Sequence, residues 1–406
     1  MRPPQCRLWL LSCALLLTLT AGCRQNTDVE PTPQDVAKVS PEASKPVDAE
    51  PIKRPPPALT PLARVDADGT LFGIAIDELG NVMVTTLRGR KAVYVVTPEQ
   101  DLHKTPIALE VEGFASFPFA VGRGLFAIPL PTAKTVEFVR IDVSTAEPTL
   151  QRVGSIKTAG VPAQVLEAFG LLWFSQRHDL DGGIGLLAVE PATGKIVVSL
   201  PTEGEVPVEM TRLLVDKQEK LFLTTRNDGG GAGHVMTVTG ADAAPTSVAV
   251  TDGVPMRVFS IDGEETARPL LLRYETPTVL DLQTLETAFR LPFAPHLMAT
   301  NGGGVFAVSN PAGELARVAR GSDGGEATLH RMTEPGVVAI EFVDSLLFVL
   351  NSKTHTLSLR SKADLEENAV VTFEGEPGRM VVDRARQRVY LTLPELQQIA
   401  VLSYSF

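Results

Sequence analysis

The sequence predicts an all-β domain, a β-propeller with eight blades preferred, placed behind an export leader and a proline-rich tether. Three observations carry this reading. Proline recurs at Pro118, Pro162, Pro207, Pro255, Pro295, Pro335 and Pro377, at spacings of 44, 45, 48, 40, 40 and 42 residues. Near these points the chain repeats an apolar strand, a tight polar turn and a second apolar strand. No segment has the periodicity of a long amphipathic helix. A period of about 40–50 residues built from short strands is the signature of a propeller.

The first 22 residues form the leader. A basic start, Arg2 and Arg7, precedes the apolar run LWLLSCALLLTL from Leu8 to Leu19, which is too short to span a bilayer and has the layout of a secretory signal peptide. Thr20, Ala21 and Gly22 then lead into Cys23. This stretch resembles the lipobox of bacterial lipoproteins, although Thr20 stands where the family usually has leucine and Leu19 sits one place earlier. The resemblance implies that Cys23 is acylated, palmitate included, and becomes the first mature residue. Cys6 and Cys13 leave with the leader, so the mature chain holds no second cysteine for a disulfide or a zinc site. The expected localisation is the cell envelope, with the outer membrane favoured because Arg24, rather than aspartate, follows the cysteine.

Residues 23–57 change in character. From Arg24 to Pro57 there are eight prolines and no aromatic residue. Such a segment cannot bury enough apolar surface to offset its ordering entropy and reads as a disordered tether. About 34 residues reach ~100 Å as polyproline and ~30–35 Å as a coil.

Charge narrows the partners. Removing Arg2 and Arg7 leaves 35 basic against 48 acidic side chains, a mature charge of about −13. A nucleic-acid partner is excluded because phosphate binding needs a basic surface. Apolar residues make up 44% of the chain, enough for a large core without disulfides.

Residues 58–406 carry the repeat. Hairpins read clearly in GIAIDELGNVMVTT from Gly73, LLVDKQEKLFLTT from Leu213, LMATNGGGVFAVSN from Leu297, AIEFVDSLLFVLN from Ala339 and MVVDRARQRVYLTL from Met380. In the first two, threonine follows the turn aspartate at plus eight. Units beginning near Leu71, Gly113, Pro162, Pro207, Pro255, Pro295, Pro335 and Pro377 make eight blades; a seven-bladed ring follows if the second or fifth is an insertion. Proline, which cannot donate to a ladder, suits the start of a strand. The last unit runs out at Phe406 one strand short, while ALTPLARVDA from Ala58 has no unit of its own. Pairing the two would clasp the ends of a monomeric ring.

RVYLTLPELQQIAVLS from Arg388 resembles the YVTN propeller repeat, with Leu393 in place of the signature asparagine, and IAIDELGNVMVTT is similar to NHL-like and YVTN-like blades. The resemblance implies a channelled ring and no particular reaction. LLAVEPATGKIVVSLP from Leu186 resembles repeats of propeller lipoproteins that serve outer-membrane protein assembly, but lacks the tryptophan those carry after the Thr-Gly-Lys turn.

The most systematic polar feature is a residue near the first turn of the units: Asp77, Glu167, Asp216, Asp262, Asn301, Asp344 and Asp383. Together they would ring one channel mouth and attract a cation or basic ligand, although Asp and Asn also favour turns for local hydrogen bonding. Two DxDG fragments, Asp66–Gly69 and Asp179–Gly182, lack the remaining ligands of a calcium loop. NDGGGAGH from Asn227 is not followed by a phosphate-loop lysine. Six scattered histidines, no GxSxG and no HExxH nominate no catalytic residue, metal or cofactor. The expectation is a non-enzymatic binding or scaffold lipoprotein with a protein partner. The alternatives are a lactonase-like or other hydrolytic propeller, and an accessory lipoprotein of outer-membrane protein assembly.

Overall fold

The computed structural model describes residues 56–88, 92–96, 107–142, 144, 148–177, 185–191, 193–202, 205–227, 232–262, 267–301, 303–320 and 326–406. The chain divides into two compact units, Met1–Lys53 and Arg54–Phe406, and the described residues all fall in the second. The leader, Cys23 and nearly all of the tether lie outside them, as do Asp179–Gly182.

Among the described residues, thirty-two strands form eight antiparallel sheets of four, each a propeller blade. The inner strands, in order, are Thr70–Ile76, Phe119–Gly122, Val161–Ala168, Val206–Val215, Val254–Phe259, Leu297–Thr300, Val337–Val343 and Met380–Asp383. Most of them lie against the inner strands of neighbouring blades around the channel. Both units that were candidates for insertions are full blades, so the count is eight. Second strands such as Val305–Ser309 and Leu346–Asn351 are buried on both faces, packed between blades, while outer strands such as Glu326–Met332 are largely exposed. One such core joins Phe259, Leu270 and Val279 of blade 5 to Met298, Phe306 and Ala316 of blade 6. Among the described residues the helical content is a single 3-10 turn, Pro131–Ala133.

The repeating prolines sit slightly differently from the expectation. Pro162, Pro207 and Pro255 are the second residue of their strands, and the ladder slips immediately after each, at Pro162/Gln164, Pro207/Glu209 and Pro255/Arg257. The residue left unpaired is the one after the proline, Ala163, Val208 or Met256, so the ladder is already interrupted beside the proline and its missing N–H is tolerated.

The ring closes as the short last unit demands. Ala58–Asp66 pairs antiparallel with Gln398–Ser405 as the outer strand of blade 8, with Leu59 opposite Tyr404 and Val65 opposite Ile399. The register slips between Pro61 and Ala63, which accommodates the proline. Val65 and Val401 are buried with Leu71, Val82 and Tyr390, so this strand links the last blade to the first.

Inner and second strands join on one side of the ring, the hairpin face. The chain crosses to the next blade on the other, the crossover face. Asp66–Gly69 makes one such crossover: Gln397 accepts from Ala67 N at 2.8 Å and, through its side chain, from Gly69 N at 3.2 Å.

Candidate functional site

The hairpin face holds the seven polar residues near the first turns, and most are occupied by the fold. Asp77 is buried; its Oδ1 accepts from Leu79 N at 2.9 Å and Asn81 N at 2.8 Å, and its Oδ2 from Asn81 Nδ2 at 2.8 Å and Gly124 N at 2.7 Å. The last bond reaches blade 2. Asp262 receives Arg320 of blade 6 at 3.1 Å, Asn301 caps Gly303 N at 3.0 Å, and Asp383 caps Arg386 N at 3.1 Å and pairs with its guanidinium. Asp216 and Asp344 are exposed turn residues with φ of 53° and 51°, a left-handed conformation aspartate tolerates and tight hairpins require. Glu167 differs from expectation: it is an exposed residue of the inner strand itself, because blade 3 turns at Phe169 and Gly170. Among the described residues no three His, Cys, Asp or Glu side chains lie close enough to share a metal.

The threonine at plus eight has a purpose the sequence did not reveal. Thr85 Oγ1 accepts from Gly73 N at 3.2 Å and donates to Ser116 O of blade 2 at 2.9 Å. Thr224 Oγ1 accepts from Glu209 N at 3.1 Å and donates to Met256 O of blade 5 at 3.0 Å. Each fills a backbone group freed by a bulge and staples neighbouring blades.

Inside the channel, polar side chains link successive inner strands. Gln164 accepts from Met210 N at 2.7 Å, Glu209 pairs with Arg257 at 2.5 Å, and Arg257 reaches Met298 O at 3.5 Å. Glu341 stands apart. Its carboxyl is pushed up to about 7 by burial, against the pull of Arg384 at 4.0 Å.

The crossover face presents a cleft of about 370 Å³ that spans blades 3 to 6. It is lined by Arg177, Val206, Pro207, Val208, Arg226, Val254, Tyr274, Glu275 and His296. Arg177 and Arg226 end the second strands of blades 3 and 4 at matching places, opposite Val161 and Val206. Both are exposed and neither has an ion-pair partner among the described residues. Tyr274 and His296 meet edge to face at 6.1 Å. Burial, with Glu209 adding to it, pushes the Tyr274 phenol above its ordinary value, against Arg257 and Arg226. Glu275 adopts φ of 62° beside it. Across the mouth, Phe72 stacks on Phe117 at 4.6 Å, and the Arg379 guanidinium lies 5.0 Å over the Phe117 ring. An acidic chain thus gathers at one mouth half-exposed aromatics and two exposed arginines that have no ion-pair partner among the described residues.

His234, read from sequence as isolated, pairs through Nδ1 with Glu205, and Thr225 Oγ1 donates to the same carboxylate. The acid sits between imidazole and hydroxyl, so the imidazole does not contact the hydroxyl as a nucleophile's base would.

Neither a family model nor a curated protein matches the sequence. The fold is shared with solved structures. Sqt1 of Saccharomyces cerevisiae is similar at TM-score 0.67 and 10% identity, over 86% of this chain and 99% of that one. The Dos1 propeller is similar at 0.64 and 9%, over 85% and 95%. BamB of Moraxella catarrhalis is similar at 0.57 and 12%, over 85% and 99%. At these identities the likeness shows the propeller fold alone.

Proposed function

We propose that this chain is a lipid-anchored envelope propeller, held at Cys23 in the outer membrane, that binds a protein partner at its crossover face and catalyses no reaction. The observation that carries this is the cleft of Arg177, Arg226, Tyr274 and His296 over an apolar floor. Exposed guanidinium groups beside aromatic surface suit an acidic, partly apolar segment of another protein. Charge supports that choice, because a basic partner would be steered elsewhere on a surface this acidic. Of the seven hairpin-face residues, Asp77, Asp262, Asn301 and Asp383 hold turns and neighbouring blades.

Affinity capture of the full chain from detergent-solubilised envelopes tests this. A discrete partner should be retained by the parent and lost from the Arg177→Glu, Arg226→Glu double variant, with unfolding unchanged. Retention by the double variant would remove the cleft from the account. The blade 3 segment Leu186–Pro201, with its outer-membrane assembly resemblance, favours a second reading in which the captured partner belongs to that machinery. The partner's identity decides between them.

A further inference from the structure

On the hairpin face, a second cleft of about 370 Å³ opens between blades 6 and 7, with Pro57, Arg317, Ser345, Lys362 and Asn368 among its walls. Arg317 lies in the third strand of blade 6, Glu314–Arg320, between Leu315 and Ala319. Those two neighbours belong to the apolar core shared with Phe342, Leu347 and Leu365 of blade 7. Arg317 therefore projects from an apolar interface. Ser309 pairs with Leu315 in blade 6 as Leu350 pairs with Leu357 in blade 7, so the place matching Arg317 is the buried Leu359. An apolar residue satisfies that position, and the arginine needs another reason.

Its Nε is buried without a hydrogen-bond partner. Lys362 stands on the neighbouring turn, which is fixed by its backbone N–H donating to Ser345 O at 2.8 Å. Burial, with the Arg317 guanidinium adding to it, holds the Lys362 ammonium below its ordinary value. Neither side chain has an ion-pair partner among the described residues. The acids of the same turn are engaged elsewhere: Asp364 caps Glu366 N at 3.1 Å, and Glu366 pairs with Arg331 at 2.6 Å. Two like charges, one rooted in an apolar interface, are unfavourable until an anion joins them.

We infer that Arg317 and Lys362 form a binding site for a phosphate group, with Ser345 and Asn368 as neutral donors. A guanidinium matches phosphate oxygens in a planar fork and an ammonium adds a point charge. Pro57 in the wall places this cleft where the chain enters the ring, immediately before the closing strand at Ala58. The phosphate is either free or carried by a lipid headgroup.

The test has two arms. In the first, inorganic phosphate is titrated into the full chain in detergent, with chloride at equal ionic strength as reference. Arg317→Leu and Lys362→Ala should each weaken binding about ten-fold or more, the loss of one charge-assisted contact. In the second, the unanchored Cys23→Ala chain is sedimented with phosphatidylcholine vesicles with or without phosphatidylglycerol. Co-sedimentation that needs phosphatidylglycerol, is competed by glycerol 3-phosphate and is lost in both variants identifies a lipid source. Phosphate binding without co-sedimentation identifies a free one. No heat from phosphate beyond chloride together with no vesicle binding overturns the inference, as does binding that survives in Lys362→Ala, a turn variant that spares the interface.

Discussion

Replacing Val401 with aspartate tests how the ring is closed. Val401 is fully buried, pairs with Ala63 of the closing strand on one side and Tyr390 on the other, and packs with Val65, Leu71 and Val82. Val401→Ala removes two methyl groups, and at roughly 0.8 kcal/mol each plus a small cavity should cost about 2 kcal/mol. Val401→Asp loses the same apolar burial and adds an unpaired buried carboxylate, raising the cost to about 5 kcal/mol or more. Burial would raise the introduced group's folded pKa above its unfolded value. The penalty is therefore full above the folded pKa and shrinks as pH falls toward the unfolded one. Deleting Leu59–Asp66 should be as severe, and it leaves Gln398–Ser405 with an open edge that recruits a second copy. Urea unfolding and sedimentation velocity read both effects. A Val401→Asp midpoint equal to that of Val401→Ala, or a deletion that stays monomeric and melts like the parent, would refute the clasp.

Other consequences follow from single contacts. Asp77→Ala strands the buried donors of Asn81 and Gly124 and should cost about 3 kcal/mol, measured by chemical denaturation. Thr224→Val, which keeps the shape and removes the hydroxyl between blades 4 and 5, should cost about 1–3 kcal/mol. Glu341, with a folded pKa of about 7 against an ordinary 4.5, keeps its proton in the folded state while the unfolded chain has lost its own. Stability should therefore fall as pH rises through that window, and Glu341→Gln should flatten the profile in urea melts between pH 5 and 8. Cys23→Ala should abolish palmitate labelling and release the protein from membranes.

Period and turn chemistry made most of the fold legible. Pro162, Pro207 and Pro255 marked three inner strands because the same bulge recurs in each, and the missing strand after Gln398–Ser405 pointed to Ala58–Asp66. The weaker blades were harder to read because blade 2 has a four-residue inner strand and the first two strands of blade 5, ending at Phe259 and beginning at Leu270, are far apart in sequence. The crossover cleft was not legible. Arg177, Arg226, Tyr274 and His296 lie on four different blades and share no local motif, so only ring closure brings them together. One signal was available: Arg177 and Arg226 occupy the same place in successive repeats, where exposed arginines recur on an acidic chain. Conversely, the regularity of Asp77, Asp262 and Asp383 reflected turn geometry and contacts within and between blades, a local demand that repeats with the blade and needs no ligand.

If the crossover-face mouth is the binding surface proposed above, site-specific photocrosslinking in intact cells should find the partner there, with the reactive group placed at Val208 in the cleft and, as the contrast, at Asp216 on the hairpin face. Val208 should give one discrete adduct, abolished by Arg177→Glu with Arg226→Glu, and Asp216 none. Adducts from Asp216 alone, or from Val208 regardless of the arginines, would rule out the crossover-face mouth as the binding surface.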